Sequence, residues 1–163
     1  MEFKVSQQTL SAAMAFIDSA IQHRTTLPIL SNVYIKAGGG QITLTGTSIE
    51  MQKKITIDAE CLEDGEITVP AKKLFELMKN ADKSKDIHFK MKENAAMISS
   101  GRSKWKLLSL PSLEFPTHEP ACDSISVKLN GQKLLQAITK CQPSMANQDV
   151  RYYLNGMYFD LKK

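Results

Sequence analysis

Two hydrophobic periods alternate along this 163-residue chain in an order that occurs twice, and that order restricts the fold more than any single motif. Residues 1–5 alternate polar and apolar side chains, the period of a half-buried strand. Ser6 can then accept a hydrogen bond from an unpaired amide at a helix start. Leu10, Ala13, Met14, Ile17 and Ile21 follow at three- and four-residue steps, predicting a helix of about four turns with one apolar face. Residues 25–28 end it, because the residue before Pro28 is pushed out of helical geometry. Alternating stretches at 33–37, 42–47 and 51–57 predict three strands, the first two joined by a hairpin at Gly38, Gly39 and Gly40.

The same series then begins again. A short strand at 66–69 runs into Pro70, which is tolerated in the first turn of a helix because that amide has no intrahelical partner. Leu74, Leu77, Met78 and Ala81 form a second apolar stripe, and strands are predicted at 86–91, 95–99 and 104–108. A strand, a helix and three strands, taken twice, predict an α+β domain with helices packed on antiparallel sheet.

A longer repeat overlies this one. Displaced by 124 positions, the sequence aligns Lys4 with Lys128, Gln8 with Gln132, Leu10 with Leu134, Ala13 with Ala137, Leu30 with Leu154 and Tyr34 with Tyr158, without a gap. Ser6 falls against Asn130, both good helix N-caps. The repeat predicts a complete domain over residues 1–121 and the start of a second copy over 122–163, holding one strand, one helix and a further strand. Residues 110–123, with Pro111, Pro116 and Pro120, are expected to form an extended surface linker between them.

Composition narrows the class of function. Twenty-one Lys and Arg against 17 Asp and Glu give a formal charge of +4, which permits nucleic-acid binding without requiring it. Cys61, Cys122 and Cys141 are odd in number, widely spaced and without a Cys-x-x-Cys, so reduced thiols are expected rather than disulfides or zinc ligands. The first residues have no signal-peptide core, and no apolar run has the length of a membrane span, so a cytoplasmic protein is expected. His23, His88 and His118 make no His-Glu-x-x-His, and neither a phosphate-binding glycine loop nor a Gly-x-Ser-x-Gly elbow is present. The sequence therefore points to no enzyme, no cofactor and no metal.

Several stretches resemble the beta subunit of bacterial DNA polymerase III, the sliding-clamp family. They are Arg24-Thr-Thr-Leu-Pro-Ile-Leu30, Leu44-Thr-Gly-Thr47 with Glu50-Met51, Val69-Pro-Ala71, Ser100-Gly-Arg102-Ser103, Leu110-Pro111 with Phe115-Pro116, and Gln148-Asp-Val-Arg-Tyr-Tyr-Leu-Asn-Gly156. The resemblance covers the whole chain, with the last stretch the most specific. It implies the DNA-clamp (processivity) fold, each domain a doubled strand-helix-three-strand unit, in a ring of two three-domain chains that encircles duplex DNA without sequence preference and tethers the polymerase. DNA polymerase III and the clamp loader are the implied partners, together with other clamp subunits. Relative to that pattern the chain is expected to be truncated after the first part of domain two.

The resemblance also assigns residues. Lys72 and Lys79 match basic positions of the helices lining the hole; Lys72, Lys79 and Lys83 also fall opposite the Leu74 stripe, where a solvated helix face accounts for them equally well. Lys133, Gln136 and Lys140 do the same on the helix of the partial repeat. Arg24, Gln148, Arg151, Tyr152 and Tyr153 match DNA-contacting positions; packing at the edge of a core is the alternative for the two tyrosines. Lys104, Trp105, Lys106 and Leu107 alternate, with Trp105 and Leu107 on one face, and match an edge strand that pairs with domain three of the neighbouring subunit, flanked by Lys73 and Arg102. Leu154 matches one wall of the groove for polymerase and loader peptides, and without the other walls no competent groove is expected. A truncated clamp that binds full-length clamp as an interaction module is the alternative reading.

Overall fold

The computed structural model describes residues 1–22, 25–48, 51–117 and 127–160. They form two compact units, Met1–Glu119 and Pro120–Lys163.

In the first unit the doubled series is present: β1 (Glu2–Ser6), α1 (Gln7–Asp18), β2 (Asn32–Gly38), β3 (Gln41–Thr47) and β4 (Gln52–Asp58), then β5 (Glu60–Glu63), β6 (Gly65–Pro70), α2 (Ala71–Asn80), β7 (Asp86–Lys92), β8 (Ala95–Ser100) and β9 (Ser103–Leu108). The strands make two antiparallel sheets, ordered β5-β1-β7-β8-β9 and β4-β3-β2-β6. Strand β1 thus joins the sheet built by β7, β8 and β9, and β6 joins the sheet built by β2, β3 and β4. That exchange welds the halves into one domain, since neither sheet is complete without a strand from both.

Strand β5 was not expected from the sequence. It is four residues long, too short to show a period, and its partner β1 lies far upstream. Only Ala59 separates it from β4, so the chain passes from the edge of one sheet to the edge of the other almost without interruption.

Helix α1 begins as predicted, with the Ser6 hydroxyl accepting from the Thr9 amide at 3.1 Å. It ends at Asp18 rather than continuing to Ile21. Ile21 is nevertheless buried, carried inward by the turn that follows, so the apolar period outlasts the helix. Gly46 shows how closely α1 lies on the sheet: a Cβ there would sit 2.8 Å from Ile21 Cγ1 and 3.1 Å from the Ile17 carbonyl oxygen. Any larger residue at Gly46 would push the helix away.

One hydrophobic cluster fills the unit. In the four-stranded sheet Ile67, Ile35, Leu44 and Ile55 stand side by side across four strands. In the five-stranded sheet the corresponding row is Cys61, Phe3, Phe89, Ile98 and Trp105. Phe3 and Phe89 stack with ring centroids 4.9 Å apart. The side-chain amide of the buried Gln7 donates to the main-chain carbonyl of Met78, tying the start of α1 to the end of α2.

The stretch after β9 is packed, not a free linker as far as it is described. Leu110 bridges to Thr68, residues Ser112–Glu114 make a 3₁₀ turn, and Phe115 is buried against Tyr34 with ring centroids 5.4 Å apart. The Ser112 hydroxyl and the Tyr34 phenol both donate to the Glu66 carboxylate, at 2.7 and 2.6 Å.

The second unit contains α3 (Gly131–Cys141) and two 3₁₀ turns, Gln142–Ser144 and Tyr152–Asn155. The strands expected near Lys128 and from Leu154 onward do not form among the described residues. A strand needs a neighbour to pair with, and alternation alone does not supply one. What the unit retains of the 124-residue repeat is local. Asn130 caps α3 as Ser6 caps α1, and the 3₁₀ turn Tyr152–Asn155 stands where Pro28–Ser31 stands in the first copy. The bond from Gln22 N–H to the Leu30 carbonyl recurs as Ala146 N–H to the Leu154 carbonyl.

Candidate nucleic-acid and subunit interfaces

Helix α2 divides its side chains cleanly. Ala71, Leu74 and Met78 are buried, while Lys72, Lys73, Glu76 and Lys79 are exposed. Lys72 and Lys79 therefore stand on the solvent side, as predicted. Lys83 does not belong to this face, because the helix stops at Asn80 and Lys83 lies in the turn beyond it. Phe75, which the sequence reading passed over, sits between the two lysines. The Lys79 ammonium rests 4.2 Å from its ring centroid, and Lys72, Phe75, Glu76 and Lys79 line a shallow recess of about 360 Å³ with Asp18 of α1. An aromatic face beneath an ammonium holds it without neutralising it, so Lys79 remains a positive charge presented to solvent. Its spacing from Phe75 was legible as an i, i+4 pair.

A second cation at the end of α1 was also missed. Lys53 of β4 donates to the Phe16 carbonyl at 3.3 Å and the Ser19 hydroxyl at 2.6 Å, and lies 4.9 Å from the Phe16 ring centroid. There it satisfies a carbonyl of the last helical turn and opposes the negative end of the helix dipole.

Arg24 lies outside the described residues. The other residues matched to DNA contacts cluster in the loop ending α3's unit. Gln148, at the start of this loop, takes a left-handed backbone, φ +57°. The Arg151 guanidinium makes a two-pronged contact with Asp149, Nε to Oδ1 at 3.1 Å and an Nη to Oδ2 at 3.0 Å. This pairing holds the Asp149 carboxyl below its ordinary range and raises Arg151 further. Asn155 closes the loop, accepting from the Asp149 amide at 2.9 Å and donating to its carbonyl at 3.0 Å. Tyr152 and Tyr153 are exposed and meet edge to face, centroids 5.9 Å apart. Neither is packed in a core among the described residues. Leu154 is in the adjoining 3₁₀ turn and 36% exposed.

The remaining predicted residues gather at β9, an outer strand of the five-stranded sheet. Trp105 pairs with Ile98 and Leu107 with Ala96, both on the core side, whereas Lys104 and Lys106 face solvent. Trp105 is only half buried, because no further strand covers its outer flank. Together with Lys73, Leu77 and Asn80 of α2, Trp105 and Leu107 line a groove of about 520 Å³ between helix and strand. Arg102 is exposed in the β8–β9 turn, which Gly101 allows by taking φ +57°. Lys73, Arg102, Lys104, Trp105 and Leu107 are thus brought to one border of the domain.

The model of the DNA polymerase III beta subunit, N-terminal domain, matches residues 1–119. The chain belongs to that family. It is 37% identical to the beta sliding clamp of Pseudomonas putida over 164 aligned residues, covering all of this chain and 45% of the relative. Against the Escherichia coli K12 beta sliding clamp it is 33% identical, covering 98% and 44%. The chain therefore spans less than half the length of these curated clamps. Among solved clamps, the polymerase III beta subunit of Pseudomonas aeruginosa superposes with a TM-score of 0.91 at 37% identity, over 96% of this chain and 43% of that one. The Bartonella birtlesii sliding clamp gives 0.92 at 29%, over 98% and 43%. Among the described residues, no helix is long and apolar enough to cross a membrane.

Proposed function

We propose that this chain supplies the first domain, and the opening of the second, of a replication processivity clamp. In this reading α1 and α2 face the duplex, with Lys72 and Lys79 offering a sequence-independent attraction to phosphate. Arg24 and the loop of Gln148, Arg151, Tyr152 and Tyr153 add contacts to backbone and sugar. Strand β9, with Lys73 and Arg102 beside it, pairs with another clamp subunit, while Leu154 contributes one wall of a peptide groove for DNA polymerase III and the clamp loader. No bond chemistry is performed, and the protein works in the cytoplasm beside the replicating chromosome.

The observation that carries the reading is the conjunction, on one clamp-family domain, of an exposed two-lysine helix face and an open strand edge with a half-buried tryptophan. The first suits a surface that must attract phosphates yet slide; the second suits strand addition by a partner. A Pseudomonas clamp whose own first domain is replaced by residues 1–117 of this chain tests it. With polymerase and loader present, long products from single binding events are expected; short, distributive products would overturn the reading.

The open β9 edge also favours a second role, as a module that binds full-length clamp. In that case excess chain inhibits processive synthesis by an intact clamp.

A further inference from the structure

The outer face of the four-stranded sheet holds a buried hydroxyl that the described residues leave without a partner. Leu44 belongs to the core, so its neighbour Thr45 stands on the opposite face of β3, away from α1 and α2. A side chain on that face is ordinarily open to water, yet Thr45 is only 3% exposed. Among the described residues its hydroxyl makes no hydrogen bond. Thr45 lines a cavity of about 210 Å³ together with Tyr34, Lys36, Thr43, Lys54 and Thr117.

Strand pairing puts a lysine on each side of β3. Lys36 of β2 is opposite Thr43, and Lys54 of β4 is opposite Thr45, on strands about 10 Å apart. Both lysines are exposed, and neither forms an ion pair among the described residues. Glu66 is the cross-strand neighbour of Lys36, but its two oxygens already accept from Tyr34 and Ser112. No carboxylate lines the cavity. The Thr43 hydroxyl shares a bond of 3.0 Å with that of Thr56, and when Thr56 donates, Thr43 keeps its own proton to give.

We propose that this cavity binds a small phosphate oxyanion, with Lys36 and Lys54 supplying the charge and the Thr45 hydroxyl a hydrogen bond. Ammonium and hydroxyl groups are all donors here, and a tetrahedral oxyanion offers acceptors on every side. A buried hydroxyl without a partner costs free energy, and a phosphate oxygen removes that cost. The Tyr34 phenol donates to Glu66, so Tyr34 serves as a wall, its ring stacked on Phe115. The cavity is too small for a duplex and lies on the face turned away from α1 and α2. Its ligand is therefore free phosphate or a small phosphate ester. The inference goes beyond the clamp reading, since it needs neither DNA nor another clamp domain.

Amide NMR of the full chain, titrated with inorganic phosphate at an ionic strength held constant with sodium chloride, tests it. Saturable shifts are expected at Tyr34, Lys36, Thr43, Thr45 and Lys54. Lys36→Gln and Lys54→Gln change exposed side chains, and each should weaken binding about tenfold. Thr45→Val keeps the shape and should weaken binding about fivefold without lowering the urea midpoint, because the hydroxyl has no bond in the fold to lose. Glycerol phosphate separates the two sources: tighter binding than inorganic phosphate identifies an ester, and weaker binding identifies free phosphate. Shifts that grow linearly without saturating overturn the proposal, and so does wild-type affinity in both lysine variants or in Thr45→Val. A short duplex that displaces phosphate from the cavity also overturns it, since the cavity would then be a nucleic-acid contact. The phosphate titrations contain no DNA, so their failure is separate from a failure of the clamp reading.

Discussion

Ser6 and Asn130, 124 residues apart, cap their helices with the same bond: each side-chain oxygen accepts from the amide three residues on, at 3.1 Å in both cases. The two bonds mark equivalent points of the repeat, and they are local enough to form whether or not the surrounding sheet is complete. Removing such a cap costs about 1 kcal/mol. Ser6→Ala should therefore lower the stability of the first unit by about that amount in urea denaturation. Asn130→Ala should reduce the helicity of α3 while leaving the transition of the first unit in place.

Gln7 is the more sensitive neighbour of the first cap. Its buried amide serves a carbonyl in the last turn of α2, a position that lacks an intrahelical donor. Gln7→Ala should cost about 1–3 kcal/mol, the penalty for leaving a buried acceptor unpaired. Gln8→Ala, one residue further and exposed, should be nearly neutral and serves as the control.

These helix starts were readable in the sequence because caps and apolar stripes are local signals. So were β9 and the two faces of its alternation, and so was the exposure of Lys72 and Lys79. Strand β5 was not readable, since four residues carry no period and β1 is distant along the chain. The Tyr34–Phe115 stack was hidden for a similar reason: three prolines mark the stretch as extended but do not say what it lies against. The failed strand at Leu154 is the opposite case, a sound local pattern without a neighbour to complete it. Among the site residues, the Asp149–Arg151 pair escaped notice because both residues were read through the motif rather than against each other.

The Tyr34–Glu66 contact gives a pH signature. Partial burial, then the hydrogen bond to Glu66, pushes the Tyr34 phenol up to about 12 from its ordinary 10.0. The stabilisation from the protonated phenol is complete below pH 10 and is lost as the pH rises from there through about 12. Glu66 behaves inversely: hydrogen bonds from Tyr34 and then Ser112 hold it below 4.5, so its contribution is present above that value and fades as the pH falls through its folded value. Phenolate absorbance should show one late-titrating tyrosine in the native chain, and Tyr34→Phe should abolish that step. Persistence of the step in the variant would place it elsewhere.

The proposed attraction of α2 to phosphate predicts a change in salt dependence rather than in sequence preference. Lys72→Glu and Lys79→Glu should each weaken duplex binding and flatten the slope of log affinity against log salt by about 1. Lys83→Glu, off the helix, should change the slope less. Fluorescence anisotropy with duplexes of unrelated sequence reads both effects.

Arg151 should respond in the opposite sense when its carboxylate partner is removed. A phosphate must compete with Asp149 for the guanidinium, so Asp149→Asn should tighten duplex binding about fivefold, equivalent to about 1 kcal/mol of exposed ion pair. Asparagine keeps the oxygen that accepts from the Arg151 amide at 2.8 Å, so the loop should hold. Unchanged affinity would mean that Arg151 does not reach DNA.

The central claim is that β9 is the open edge through which this domain joins other clamp subunits. Hydrogen–deuterium exchange across residues 103–108 tests it most directly, with dilute chain alone and with a full-length sliding clamp whose own ring contact has been opened by mutation. In the free chain the outward amides of β9 should exchange quickly, and with the clamp present they should become protected, with Trp105→Asp abolishing the change. Unaltered exchange along β9 at saturating clamp, or protection confined to other strands, would contradict the account.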